Sequence, residues 1–141
     1  MIREPIYKAL FAKLSASASF NTSSRRFKLF ADVAPVDQPA LFLIQRGESI
    51  HTTPGMPPVS IMSCDVALYV NTRGDSSVAP ATVLNPLIDA VMAALAADPV
   101  SNKQTLGGLV QHAWVEGEIQ TDEGLLQEQG YALIPIRMKA V

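Results

Sequence analysis

VSIMSCDVALYVNT, residues Val59–Thr72, alternates with a period of two. Met62, Cys64, Val66, Leu68 and Val70 fall on one side; Ser63, Asp65 and Asn71 fall on the other, with Ala67 and Tyr69. Successive side chains of a strand point to opposite faces, so the pattern predicts a half-buried β-strand. Its apolar face needs a covering layer. The run ALFLIQR (Ala40–Arg46) is apolar on both faces through Leu41-Phe42-Leu43-Ile44 and predicts a central strand. The two should pair antiparallel, with Gly47–Pro58 as a long hairpin loop carrying Pro54, Gly55, Pro57 and Pro58. Loops of about a dozen residues inside a compact domain are usually functional or mobile.

Outward from this hairpin, Ile2, Ile6, Leu10 and Leu14 recur at helical spacing, with Tyr7 and Phe11 widening the stripe. A helix over about Glu4–Ala16 follows, with Pro5 in the first turn, where no backbone donor is needed. Ser15–Ser24 is small and polar and predicts a loop. Arg26–Ala31 predicts a short strand, and Pro35 and Pro39 bracket a bend. Leu84, Leu87, Ile88, Val91, Met92 and Leu95 form the clearest helical stripe. Asn85 is a candidate N-cap with Pro86 first in the helix; Thr82 is the alternative, which leaves Pro86 inside. Pro99 ends the helix in either case. Strands at 109–120 and 131–140 complete the order, with Pro135 arguing for an edge position for the last. The order α-β-β-β-α-β-β predicts one α+β domain over 1–141. It is a two-layer sandwich, two helices on a predominantly antiparallel five-stranded sheet.

Hydrophobic residues make up 48% of the 141, but charged residues only 17%, against about 25% in ordinary domains. Interface cores are depleted in charge, so the shortfall favours an oligomer or part of an assembly. Net charge is −2, which gives no electrostatic case for nucleic acid as a partner. Charge is segregated along the chain: Arg25, Arg26 and Lys28 lie early, and Glu116, Glu118, Asp122, Glu123 and Glu128 lie late. These are either solvated faces or complementary surfaces on neighbouring subunits. One cysteine, Cys64, allows no intrachain disulfide. Arg3, Glu4, Lys8 and Lys13 interrupt any signal-peptide core, and no apolar run approaches the roughly 20 residues of a bilayer span. The expectation is a soluble protein without membrane contact.

Chemistry is sparse. His51 and His112 have no ligand-type residue at metal spacing, and Cys64 sits on an apolar strand face, where a thiol is inert. Glu116 and Glu118 would share a strand face about 7 Å apart, as a partner-facing or solvated stripe lacking the apolar surroundings that would tune an acid/base pair. Asp122-Glu123-Gly124 predicts a turn. Gly107-Gly108 lacks the rest of a phosphate loop and reads as a flexible strand entry. Arg25-Arg26 with Phe27 and Phe30 is too small a basic set for a nucleic-acid groove. No cofactor, no metal and no enzymatic activity are expected.

Several short runs carry a family likeness: Leu-Ile-Asp-Ala-Val-Met-Ala-Ala-Leu (87–95), Gly107-Gly108-Leu109-Val110, Glu116-Gly117-Glu118-Ile119, Asp122-Glu123-Gly124 and Ala132-Leu133-Ile134-Pro135-Ile136. From the second helix to the end the chain resembles the phage tail terminators, minor tail proteins similar to the U protein of lambdoid phages. The resemblance implies a virion protein forming a ring, six-fold in that family. Such a ring binds the end of the tail tube, stops its polymerisation and presents a surface to head-completion proteins. It implies assembly in the host cytoplasm, a place at the head-proximal end of the tail, and DNA at most passing through the lumen. On this reading Arg25, Arg26 and Lys28 approach Glu116, Glu118 or Glu128 across subunits, unless the acidic strand lines the lumen. Ile50, His51, Thr52 and Met56 in the hairpin loop contact the tube. The alternatives are another head–tail connector or tube-like protein, or a non-viral oligomeric binding domain.

Overall fold

A computed structural model describes residues 2–123 and 128–141. The elements are α1 (Arg3–Ser15), β1 (Thr22–Ser24), β2 (Ala40–His51), β3 (Val59–Asn71), α2 (Pro80–Ala94), β4 (His112–Val115), β5 (Gln120–Glu123) and β6 (Gln129–Ala140). This is an α+β fold in the predicted order, with six strands instead of the predicted five because two short strands, β4 and β5, precede β6. The sheet runs β1-β2-β3-β6-β4, with β5 also on the far side of β6. All pairs are antiparallel except β1 with β2.

The alternation in β3 is the organising feature. Met62, Cys64, Val66, Leu68 and Val70 are buried under Ile6, Tyr7, Leu10 and Leu14 of α1 and Leu84 and Val91 of α2. Ala132, Ile134, Ile136, Met138 and Ala140 of β6 extend the same face. Both helices therefore cover one side of the sheet, because both adjoining strands present their apolar side chains there.

Burial pushes the Cys64 thiol up to about 12, helped by the neighbouring Asp65 charge, and burial likewise raises the Tyr7 and Tyr69 hydroxyls to about 12. The neutral thiol of the folded chain contributes stability that is fully present below the ordinary unfolded value of about 8.5 and is lost as pH rises toward about 12. Denaturant midpoints are expected to fall from about pH 8.5 upward. Iodoacetamide at about pH 8 should leave native Cys64 unlabelled and react with it fully once the chain is unfolded.

Four expectations are corrected. The strand predicted at 26–31 is absent; pairing falls instead on Thr22–Ser24, within the predicted loop. β2 runs on to His51 through a bulge between Gln45 and Gly47, so only Thr52–Pro58 connects it to β3. Helix α2 begins at Pro80 after Ala79, so neither Asn85 nor Thr82 is its N-cap and Pro86 lies inside it. An interior proline removes one helical bond, at a cost of about 3 kcal/mol. Burial of Leu84 and Val91 on the sheet side carries the helix through. Finally, β6 is an internal strand, not an edge.

Pro135 explains how. A residue's N and O point to the same side of a strand, and the Pro135 carbonyl accepts from the Glu116 N–H at 3.3 Å. The missing donor therefore faces the β4/β5 side, at the break between those strands: β4 pairs with 136–139 and β5 with 130–133. Gly117 fills the break with φ +119, and a Cβ there would meet Pro135 Cγ at 3.2 Å. The proline that cannot donate and the glycine that can bend thus end β4 at Val115, inside the predicted strand 109–120. β5 takes up the pairing only at Gln120, running on through Asp122 and Glu123, which were predicted as a turn. Gly117→Ala is expected to cost about 1–3 kcal/mol through the left-handed backbone and the proline contact. The check is a lower denaturant midpoint with an unchanged m-value.

Candidate interaction surfaces

The far face of the sheet carries a second, smaller apolar cluster of Val33, Ala40, Phe42, Ala67 and Tyr69. Its cover is the segment from Arg25 to Pro39, which leaves β1, crosses this face and returns to β2. Phe27 meets Phe42 edge-on with ring centres 6.1 Å apart, and Phe30 meets Tyr69 edge-on at 5.1 Å. The Tyr69 hydroxyl donates to the Lys28 carbonyl at 2.8 Å. Beside this cover lies an apolar groove of about 300 Å³, lined by Phe27, Leu29, Ile44 and Tyr131 among others. Leu29 is 64% exposed at its rim. The sequence reading missed this layer. Its signal was the cluster Phe27, Leu29, Phe30 and Val33, together with Tyr69 on the supposedly polar face of β3.

The two charge clusters occupy opposite margins of the sheet. Arg25 and Arg26 follow β1, the outermost strand on one side. Arg25 donates to the Glu4 carboxylate, and its guanidinium lies 5.8 Å from the centre of the Tyr7 ring. Arg26 is exposed, its backbone N–H held by Ser24 Oγ at 2.9 Å. Lys28 is exposed farther along the crossing segment.

On the other margin, Glu116 and Glu118 lie in the break between β4 and β5, both exposed. They do not share a regular strand face as predicted, because Gly117 turns the chain between them. Glu116 pairs with Arg137 of β6 at 3.1 Å. Glu128 stands apart, at the end of the sheet remote from the hairpin tip, where its carbonyl accepts from the Thr72 N–H at 2.8 Å and the Thr72 hydroxyl at 3.0 Å. Asp122 and Glu123 belong to β5; Gly124 of the predicted turn is outside the described residues. Among the described residues the chain does not bring the basic and acidic clusters together.

The β2–β3 hairpin ends in Thr52–Pro58, every residue of it exposed. Met56 is 65% exposed, and its N–H closes a turn on the Thr53 carbonyl at 3.0 Å. Of the four predicted tip residues, Thr52 and Met56 lie in the connection, whereas Ile50 and His51 are the last residues of β2. The base of the hairpin is braced: Arg3 of α1 grips the Glu48 carboxylate with two bonds of 2.7 Å, which hold it below its usual range, and Arg46 pairs with Asp65 at 2.7 Å.

His112 stacks on Trp114 at 5.2 Å, and its Nδ1 accepts the Gln104 N–H at 3.1 Å. Among the described residues there is no group of three or more His, Cys, Asp or Glu placed to hold a metal ion. No helix among them is long and apolar enough to cross a membrane. The geometry defines an α+β sheet protein whose distinctive features are margins and projections. No protein-family model matches the chain, and no curated protein matches it.

Proposed function

We propose that this chain is a structural virion protein that closes into a ring, caps the phage tail tube, ends its polymerisation and presents the head-joining surface. Its work is done by surfaces and not by turnover, with no cofactor. The observation that carries this reading is the placement of a basic and an acidic cluster on opposite margins of one sheet. A cyclic ring is built from head-to-tail contacts, so one side of each subunit must complement its other side. Charges segregated to the two margins supply such complementarity. The low content of charge over the chain agrees with surface that becomes interface.

The braced, fully exposed hairpin tip supplies the second requirement, a projection from the body that reaches an axial neighbour. On this reading the tail tube protein meets Ile50, His51, Thr52 and Met56, and a head-completion protein meets the opposite end of the ring. DNA does no more than pass through the lumen. Electron microscopy of particles made without this protein is the test. Overlong tails or tails without heads are the expected result; tails of normal length joined to heads would overturn the proposal. The apolar groove favours one other reading, a non-viral binding domain that also oligomerises, for which tail genes would not flank the reading frame.

A further inference from the structure

The registers of four strand pairings define rows across the sheet. Ser23 is level with Leu41, Leu41 with Leu68, Leu68 with Ala132, and Ala132 with Thr121. The rows on either side run from Thr22 to Asp122 and from Ser24 to Gln120. The two outermost strands of this row, β1 and β5, are therefore at the same height. They are also of nearly equal length, three and four residues. β1 runs parallel to β2, and each of the next three pairings reverses direction, so β5 runs antiparallel to β1.

Among the described residues, no backbone group outside the sheet bonds to Thr22–Ser24 or Gln120–Glu123. β4 differs: the Ala113 N–H already donates to the Gln104 carbonyl at 2.8 Å. Among the described residues, β1 on one side and β5 on the other are thus unoccupied strand edges at the same height, while the outer edge of β2 beyond Phe42 is also unpaired and stands level with β4. Such an edge is a template for pairing with another chain.

We infer that β1 of one copy pairs antiparallel with β5 of the next, continuing the sheet from subunit to subunit. The inference rests on the ring reading and names its interface. Charge complementarity selects a second copy as the occupant. Arg25 and Arg26 follow the C-terminal end of β1, and Glu116 and Glu118 precede the N-terminal end of β5. In antiparallel pairing those two flanks meet. Arg25 and Glu116 already have partners within the chain, whereas Arg26 and Glu118 form no ion pair among the described residues. Arg26 to Glu118 of the neighbour is the new pair. Because the margins are level in register, the contact needs no slip of one strand along the other, and the copies form a ring where the rotation between them closes.

The test is a Ser23→Cys/Thr121→Cys double variant, with Cys64 left in place because it is buried. Both positions are exposed and, through Leu41 and Ala132, lie on the helix side of the sheet. Within one copy they are four strand spacings apart, about 19 Å, too far for a disulfide. Mild oxidation, non-reducing electrophoresis and the mass of the untreated protein are read together. A covalent ladder rising to the ring mass, absent from either single variant, is the expected result. A ring by mass with no ladder overturns this interface and leaves the ring reading standing. A single subunit by mass at high concentration, with no ladder, overturns both.

Discussion

Reversing the charge at Arg26 (Arg26→Glu) is expected to break the proposed ring into single subunits while leaving each subunit folded. Arg26 is exposed and contributes no side chain to either apolar cluster, so circular dichroism and the unfolding midpoint should not move. Its expected importance lies between subunits. A lone exposed ion pair contributes only about 0–1 kcal/mol. A carboxylate at position 26 opposite Glu118 turns attraction into repulsion, and like charges across an interface cost several kcal/mol. In a closed ring the same change enters at every interface: at six interfaces, the number the family resemblance implies, even about 1 kcal/mol each is about 6 kcal/mol over the assembly, several powers of ten in the equilibrium. Mass by light scattering checks the result. Arg26→Glu combined with Glu118→Arg should restore the ring, since the swap reverses both partners. Arg25→Glu is a less clean probe because it also removes the bond to Glu4. If the Arg26→Glu variant keeps the ring mass across a range of salt, the charge pairing is wrong.

Replacing Thr52–Pro58 by Asn-Gly is expected to weaken the proposed tail capping strongly, with no loss of fold or of the proposed ring. His51 and Val59 are already paired across the hairpin, and Asn-Gly forms the tight turn that joins two such residues. Every residue removed is exposed, and none belongs to either core cluster, so no apolar burial is lost. Loop closure becomes slightly less costly. The unfolding midpoint should hold or rise a little, and the ring mass should not change. Co-sedimentation with tail tubes, and tube length by microscopy, provide the functional reading. Tubes that bind the shortened protein and stop at normal length would remove the hairpin tip from the contact. Substitution of Met56 alone by Ser should weaken binding less, because the tip offers several exposed side chains and Met56 is the large apolar one.

These expectations draw differently on the two levels of description. Helix α1 and the alternation of β3 were legible along the chain, because each repeats its own period over several residues and needs no knowledge of its neighbour. Thr22-Ser23-Ser24 carries no such period. It becomes a strand only because β2 lies beside it, a contact 18 residues away along the chain. Pro135 was legible as a residue that cannot donate, and the inference to an edge was sound for a strand with one continuous partner. The internal position is possible because two partners share that side of β6 and leave a break at the proline.

Along the chain alone, the residues dictate an α+β protein with one strongly apolar sheet face, scant chemistry, and charge sorted into an early basic and a late acidic group. Local period and composition suffice for that, since they act through burial and solvation residue by residue. It took folding to set Arg25 and Arg26 on one margin and Glu116 and Glu118 on the other, beside two short antiparallel strand edges at the same height. Height and direction are properties of strand register, fixed by backbone pairing between segments far apart in the chain, and no residue type encodes them.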